Sequence, residues 1–388
     1  MYKGIELRIY PNKKQKELIA KTFGCTRLIY NKALDLRKSK YENEGITLFY
    51  KDTNEMLTSL KKDEDFAFLN EVDSIALQQS LRDLDRAYKN FFKSKFGYPK
   101  FKSKKDNHKS YRTQNVNNNI CVTLDNKYIK IPKLGYVKTR NRFTYFGKVN
   151  NATIIQKPSG KYYCVLDVEV EETIKPNDGG IIGLDMGISS FYTDSNGYKC
   201  DNLKYYHNCQ KKLKRMQRKL SKQIESHIID YKIEENKRFP QYDKPLSECK
   251  NIQKQRIKVA KLQEYIANQR YDFLHKETLK LCKENQFIAV EDLSISNMIK
   301  NHHLASNIQD VSWSKFLTIL EYKCTKYGTT LIKIPRFYAS SQICSCCGYQ
   351  NKDIKNLAIR KWTCPKCNTI HDRDINAAMN ILNKALSM

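Results

Sequence analysis

Three short acidic segments lie far apart in this 388-residue chain: Ile181-Ile182-Gly183-Leu184-Asp185-Met186-Gly187, Ala289-Val290-Glu291-Asp292-Leu293 and Asp372-Arg373-Asp374-Ile375-Asn376-Ala377-Ala378. Asp185 sits inside an apolar strand pattern, where an unpaired carboxylate is costly to bury. Glu291 closes a second apolar run, and Asp374 opens a helical pattern that carries Ala377, Ala378, Ile381 and Leu382. Two strand ends and a helix start can bring three carboxylates to one point. Hard oxygen ligands of that kind suit Mg²⁺ or Mn²⁺. A pair of such ions about 3.5–4 Å apart activates water and stabilises the leaving oxygen in phosphodiester hydrolysis. Gly183 and Gly187 bracket Asp185 and are expected to leave room for a phosphate backbone. Spacing alone leaves Asp292 and Asp372 open as alternatives to their neighbours. The chemistry implied is that of a metal-dependent nuclease.

A second constellation precedes the last acidic segment. Cys344-Ser345-Cys346-Cys347 and Cys364-Pro365-Lys366-Cys367 form two C-x₂-C knuckles with sixteen residues between them. That spacing fits a structural Zn²⁺ site made by Cys344, Cys347, Cys364 and Cys367. Cys346 is then a spare thiol and His371 a distant substitute ligand. The other eight of the thirteen cysteines are scattered singly and read as small buried hydrophobes, with no disulfides expected.

Composition narrows the class further. Lys and Arg outnumber Asp and Glu by 70 to 41, a formal charge of +29, which implies a polyanionic partner. A hydrophobic content of 40% supports real cores, and the length allows two to four domains at roughly 100–200 residues each. No apolar run approaches the about 18 residues a membrane-spanning helix needs, so no membrane partner is expected. The opening segment Met1–Tyr10 alternates like a strand and lacks an apolar signal core, which implies a cytoplasmic protein.

The elements that must position these residues follow from periodicity. Residues from about 12 to 100 read as helical, with Asn12 as a cap and Leu18, Ile19, Phe23, Leu28 and Ile29 on one face. Leu77, Leu81, Leu84, Tyr88, Phe91 and Phe92 step by four and three and are expected to be core, with a stop at Gly97-Tyr98-Pro99. The basic run Lys100–Lys105, interleaved with aromatics, suits a nucleic-acid strand. From Ile120 to Val170 the pattern is β, and the strand at Ile5, Leu7 and Ile9 has no partner in the helical block, so it is expected to pair there. Asn196-Gly197 signals a hairpin after the Asp185 strand. Residues 209–285 read as basic helix broken near Pro240 and Pro245. Phe287–Val290 and Thr330–Ile334 are brief strands that each follow a helix, as in βαβ crossovers.

With these motifs assembled, the chain resembles the transposon-encoded TnpB (OrfB-like) RNA-guided nucleases, relatives of the type V CRISPR effectors. Matching pieces run almost end to end: Gly24-Cys25-Thr26-Arg27-Leu28-Ile29-Tyr30-Asn31, Ala76–Leu84, Gly97–Lys104, Gly183–Gly187, Ile266–Arg270 with Asp272–Lys276, Glu291-Asp292-Leu293, the cysteine ribbon and Asp372–Ala378. The resemblance implies a multidomain α/β protein with an RNase H-like (RuvC) nuclease domain, residues 179–338 and 371–388, interrupted by a zinc ribbon at 339–370. It implies an N-terminal β-barrel wedge domain, residues 1–10 and 111–178, interrupted by a helical recognition domain at 11–110. It selects Asp185, Glu291 and Asp374 as the metal-binding catalytic acids, over Asp292 and Asp372. The partners implied are a guide RNA and double-stranded target DNA, cut next to a short adjacent motif by a monomer with its RNA. Between Lys222 and Cys249 the chain departs from the family pattern with an acid-containing, Pro-interrupted segment. Two rivals are an RNA-guided repressor, which should have lost one of the acids, and an RNA-independent transposase of related fold.

Overall fold

The computed structural model describes residues 2–93, 96–123, 125, 127–139, 147–171, 177–234, 237–356 and 358–388. The chain divides into two compact units, residues 1–172 and 173–388. Among the described residues no helix is long and apolar enough to cross a membrane.

In the first unit, β1 (Tyr2–Tyr10) leads into α1 (Lys13–Glu44), α2 (Tyr50–Leu60) and α3 (Ser74–Phe92). The strands β2 (Lys109–Gln114), β3 (Cys121–Val122), β4 (Tyr128–Ile131), β5 (Gly135–Thr139), β6 (Lys148–Gln156) and β7 (Tyr162–Glu169) follow. They form one seven-stranded sheet in the order β2-β6-β7-β1-β5-β4-β3. β1 lies antiparallel between β7 and β5, with Leu7 opposite Cys164 and Ile9 opposite Thr139. The three helices are therefore an excursion out of a sheet that the chain has already begun.

Local chemistry sets the ends of these helices. Asn12 accepts from the Gln15 amide while the Gln15 side chain accepts from the Asn12 amide, a reciprocal cap that satisfies two otherwise orphaned donors. At the other end Gly45 adopts φ +68°, the left-handed conformation that lets its amide reach the carbonyls of Lys40 and Tyr41. Ile29, Ala33 and Leu34 of α1 pack on Leu77, Leu81 and Leu84 of α3. Full burial along α3 stops at Leu84, half-buried Tyr88 still packs against the same core, and the last regular residue is Phe92, short of the Gly97-Tyr98-Pro99 stop that the sequence suggested. The expectation that the whole stripe to Phe92 is core is thus corrected, since Phe92 is 70% exposed.

The second unit contains β8 (Gly180–Met186), β9 (Ser190–Asp194), β10 (Lys199–Asp201), α4 (Tyr205–Glu225), β11 (Ile228–Glu234), β12 (Lys237–Tyr242) and α5 (Lys250–Glu284). It continues with β13 (Asn285–Glu291), α6 (Ile295–Met298), α7 (His302–Val311), α8 (Trp313–Tyr327), β14 (Thr330–Ile334), β15 (Lys361–Thr363), β16 (Ile370–Asp372) and α9 (Arg373–Leu386). Its main sheet has the order β10-β9-β8-β13-β14, with β8, β13 and β14 parallel and β8, β9 and β10 antiparallel. Side chains alternate faces along a strand. Ile182, Leu184, Met186, Ile288 and Val290 join α5 and α8 in one core, built around Leu274, Leu281, Trp313, Phe316 and Leu320. Ala289 and Ile334 join Ile381 and Ala385 of α9 in another. The odd-numbered positions 183, 185, 289 and 291 therefore share the face that α9 covers.

Two sequence expectations change here, for the proline-interrupted segment and for the glycines around Asp185. The helical run does break around Pro240, but the break holds the strands β11 and β12, paired antiparallel with Tyr231 opposite Pro240, and α4 already ends at Glu225. Pro240 is tolerated because a two-stranded ribbon has free edges. Cys282 and Cys324 are buried in the core as expected, with their Sγ atoms 3.6 Å apart between α5 and α8. And Gly183 makes room for α9, not for a phosphate: a Cβ there would lie 2.2 Å from the Ala378 carbonyl oxygen and 2.8 Å from Leu382 Cβ. Gly187 likewise faces the chain itself, where a Cβ would meet the Ser190 carbonyl oxygen at 2.9 Å.

The Gly183 contact generates a prediction. Gly183→Ala must push α9 away from β8, an overpacking cost of about 1–3 kcal/mol. Chemical denaturation should show that loss, and unchanged stability would mean that α9 does not seat on β8 as described.

Candidate active site

Asp185 is the sixth residue of β8, and Glu291 is the last of β13. The parallel register sets Ala289 beside Gly183 and Val290 beside Leu184, so the next step brings Glu291 level with Asp185. Asp374 stands in the first turn of α9, whose start is fixed by Asp372: its Oδ1 accepts from the amides of Asp374 at 3.1 Å and Ile375 at 3.2 Å. Sheet register and helix packing thus converge three carboxylates from segments far apart in sequence. They approach less tightly than the cysteines below, whose ligand atoms all lie within 4.8 Å of one another.

Electrostatics records the convergence. Asp185 keeps some accessible surface, but its carboxyl is walled in by protein. Burial first, then the negative charges of Glu291 and Asp374, push it up to about 8. Arg373 and Arg360 oppose that rise. Glu291 is also pushed up by burial, countered by the Ser340 hydroxyl, which donates to Oε1 at 2.6 Å. Asp374 has Arg360 at 3.4 Å and Lys199 at 3.9 Å. A carboxylate trio this repulsive is the donor set a divalent cation relieves.

The two alternative acids are engaged elsewhere. Asp292 accepts from Arg336 at 2.6 Å. Asp372 caps α9 and pairs with Lys199 at 2.8 Å, and although burial works against it these partners hold its carboxyl below the usual range.

Cys344, Cys347, Cys364 and Cys367 cluster as the knuckle spacing suggests. The Sγ separations Cys344–Cys367 and Cys347–Cys364 are both 3.6 Å. Four thiolates at the Zn–S distance of about 2.3 Å around a tetrahedral ion would be about 3.8 Å apart, so the set fits zinc. Burial pushes the Cys344 thiol up, whereas the Thr369 hydroxyl and amide pull Cys367 down to about 6. His371 is closer than the sequence implied: Nε2 is 3.1 Å from Cys344 Sγ, and its ring packs 4.8 Å from that of Trp362. Exposed Cys346 shares a second possible group with Cys344 and His371.

Sequence reasoning missed the residues that tie this cluster to the acids. Asn376 and Asn380 are 1% and 3% exposed, although they lie on a helix whose buried neighbours are Ala377, Ala378 and Ile381. The Asn376 amide donates to the Ile343 carbonyl at 2.7 Å, and its Oδ1 accepts from the Ser345 amide at 2.9 Å. Asn380 donates to the carbonyls of Ser340 and Ile343 at 2.8 and 2.6 Å. The signal was two asparagines four apart on an otherwise apolar face, where unpartnered amides would be costly.

Comparison with known proteins fits this geometry. Residues 164–302 match a family described as "Probable transposase" of the OrfB_IS605 type, and residues 313–381 match the "Cas12f1-like, TNB domain". Residues 1–45 match a "Helix-turn-helix domain", here β1 followed by the single helix α1. A Streptomyces pristinaespiralis protein named "Putative RNA-guided DNA endonuclease" is 33% identical over 99% of this chain and 90% of its own length. InsQ of Escherichia coli K12, with the same designation, is 30% identical over 98% of this chain and 91% of its own. The Cas12f1 chain of a complex with single-guide RNA and target DNA superposes with a TM-score of 0.61 at 13% identity, covering 99% of both chains. That likeness is one of fold: this is a multidomain α/β protein built like the Cas12 effectors. Within that class the chain belongs to the TnpB family of OrfB-type, transposon-encoded proteins, relatives of the type V CRISPR effectors.

Two measurements test the site. The proton on Asp185 is held in the folded chain up to about 8, against 3.8 for the free group. The folded state therefore binds more protons than the unfolded state between those values. Stability from this group is fully present below about pH 4 and is lost as pH rises through about 8. In zinc-loaded protein without magnesium, Asp185→Asn should flatten the fall in denaturation midpoint over that window, and identical slopes would show that Asp185 is not so perturbed. For the cysteine cluster, elemental analysis should find about one zinc per chain. Cys347→Ser or Cys364→Ser should lower it, whereas Cys346→Ser should not; equal loss from Cys346→Ser would reassign the ligands.

Proposed function

We propose that this chain is an RNA-guided DNA endonuclease that cuts guide-matched double-stranded DNA beside a short adjacent motif. The observation that carries the reading is the meeting of Asp185, Glu291 and Asp374 on one face of the sheet, beside cations that balance but do not neutralise them. The names of the two full-length relatives, and the complex in which the Cas12f1 chain was solved, support an RNA guide and a DNA target. In this reading residues 179–338 and 371–388 are an RNase H-like (RuvC) nuclease domain, consistent with the sheet order of three antiparallel strands followed by two parallel ones. Residues 339–370 are its zinc ribbon. Residues 1–10 and 111–178 are a wedge β-barrel, and 11–110 the recognition domain.

Asp185, Glu291 and Asp374 would hold Mg²⁺ or Mn²⁺, which lowers the pKa of a bound water and stabilises charge on the leaving oxygen. The chain's own groups prepare that chemistry. Ser340 fixes the rotamer of Glu291 through its hydrogen bond. The asparagine ties hold α9, and with it Asp374, against the ribbon. Arg360 and Lys199 keep cationic groups at the rim, where a phosphate would enter. Arg215, Arg218, Lys219 and Lys222 line a groove of about 420 Å³ on α4, and their i, i+3, i+4, i+7 spacing puts them on one helix face suited to a phosphate backbone. Delegating sequence choice to base pairing fits a chain rich in backbone-gripping cations.

The test supplies the protein with a transcript whose 3′ segment serves as guide. Mg²⁺-dependent cleavage should appear at the matched site, and changing the guide should move the cut. Asp185→Ala, Glu291→Ala and Asp374→Ala should each abolish cutting without further loss on combination, while guide and target binding persist. RNA-free protein cutting the same site equally well would replace this reading with a transposase. Near-normal cutting by Asp185→Ala would remove the assigned centre.

A further inference from the structure

The end of α3 that failed to be core forms something else. A cavity of about 490 Å³ opens in the first unit between α1, α3 and the segments after them. That size falls within the about 300–1,000 Å³ of small-molecule sites. One wall consists of Tyr88, Phe91, Phe92 and Tyr98. Tyr88 stacks on Phe92 with an interplanar angle of 23°, and the Tyr98 ring stands edge-on to Tyr88 and Phe91 at 5.6 and 5.4 Å. The hydroxyls of Tyr88 and Tyr98 are 2.9 Å apart. Tyr41 and Phe49 line the cavity from other segments and are 64% and 63% exposed. Exposing this much aromatic surface has a cost that a function must offset.

A polar pair also lines the cavity. Arg37 is 5% exposed and donates through one terminal nitrogen to Asp85 at 3.0 Å, with its guanidinium carbon 5.1 Å from the Tyr88 ring centroid. Its Nε is buried with no hydrogen-bond partner among the described residues. The guanidinium is thus held at the cavity wall with hydrogen-bonding capacity that the protein does not use. Asp85, also paired with Lys89 at 3.0 Å, sets an acceptor beside that donor.

Ring faces above an adjacent donor and acceptor match an unpaired base, which offers a π-face for stacking and a polar edge for hydrogen bonds. An apolar peptide side chain would fill the same space and leave the polar edge formed by Arg37 and Asp85 unmatched. The backbone of a nucleic acid has a place to lie as well. Asn31 pins the basic run after Tyr98 to α1 by accepting from the Lys102 amide at 2.8 Å and donating to the Lys102 carbonyl at 3.0 Å. Asn31 and Arg37 are six residues apart on that helix, a rise of about 9 Å. Lys100, Lys104 and Lys105 of this run are exposed.

We infer that this cavity captures a single unstacked nucleobase from a bound nucleic-acid strand, by stacking on the Tyr88–Phe92 wall and hydrogen bonding to Arg37 and Asp85. The site rests on the nucleic-acid partners of the proposed function and adds to them a base-holding pocket in the helical excursion. The base comes either from an unpaired stretch of RNA or from an unpaired DNA strand.

The test uses the full chain in magnesium-free buffer with single-stranded DNA and RNA oligonucleotides that carry one 2-aminopurine. Wild-type protein should quench the probe on stacking. Tyr41→Ala and Phe92→Ala alter exposed side chains and should leave the thermal melt intact. They should weaken binding roughly 5- to 100-fold and restore the fluorescence, with the salt dependence of binding unchanged. Quenching by the RNA probe alone, or by the DNA probe alone, identifies the strand that supplies the base. Binding and quenching that neither variant alters would overturn the pocket. A wild-type chain that binds neither oligonucleotide would overturn instead the nucleic-acid reading on which it rests.

Discussion

The backbone of α9 touches β8 at Gly183, and the second unit's site depends on that contact. A helix can come so near a strand only where the strand lacks a Cβ, and the 2.2 Å that a Cβ would leave to the Ala378 carbonyl shows how little space remains. Two residues along the same face lies Asp185, and the first turn of the same helix carries Asp374. Glu291 reaches the same place from the neighbouring parallel strand. Close packing and charge convergence are therefore one arrangement: Ala377, Ala378, Ile381 and Ala385 hold α9 down, and that burial helps offset the repulsion of carboxylates which would otherwise separate.

The cysteine ribbon belongs to this arrangement as much as to its own small core. It enters the sheet's neighbourhood at Ser340, which touches Glu291, and returns through His371 and Asp372 into α9. Asn376 and Asn380 fasten its first strand of chain to the helix. The Arg373 guanidinium donates to the Asn356 carbonyl at 2.7 Å on the ribbon's far side. Its buried apolar side chains are few, chiefly Ile354 and Trp362 beside Cys344 and Cys364. Thiolate–metal bonds, worth roughly 10–16 kcal/mol in small zinc modules, would be the main source of its order. Loosening the ribbon would then loosen the helix that holds Asp374.

The first unit solves a different problem. Its sheet begins with β1, is interrupted by three helices, and resumes with β2, so β1 must wait for partners, β5 and β7, that lie beyond the whole helical excursion. The delay is tolerable because α1 and α3 pack on each other through Ile29, Leu34, Leu77 and Leu81, a core made of contacts within the excursion. Ile19 and Phe23 at the start of α1, with Ala76 near the start of α3, then dock the pair on the sheet beside Tyr111 and Ile120. The far ends of the helices are left over, and there the aromatic cavity forms.

Much of this was legible in the residues. The Asn12 cap, the β8, β13 and β14 strands, the start of α9 and the four-cysteine cluster follow from side-chain periodicity, capping chemistry and ligand spacing, which are properties of neighbours in sequence. The same local logic extended the core to Phe92, because a repeat of three and four marks a face without saying whether anything covers it. It read Pro240 as the end of a helix, because proline excludes a helix interior but not a two-stranded ribbon. It assigned Gly183 to a ligand, because a missing Cβ looks alike whether a phosphate or a helix fills the space. What only the tertiary structure decided was which groups oppose each other across elements: α9 against Gly183, Ser340 against Glu291, His371 against Cys344, Arg336 against Asp292. A sequence fixes the direction in which each side chain leaves its own backbone. The partner on the other side is set by how the elements pack, and that is where the site acquires its charge balance.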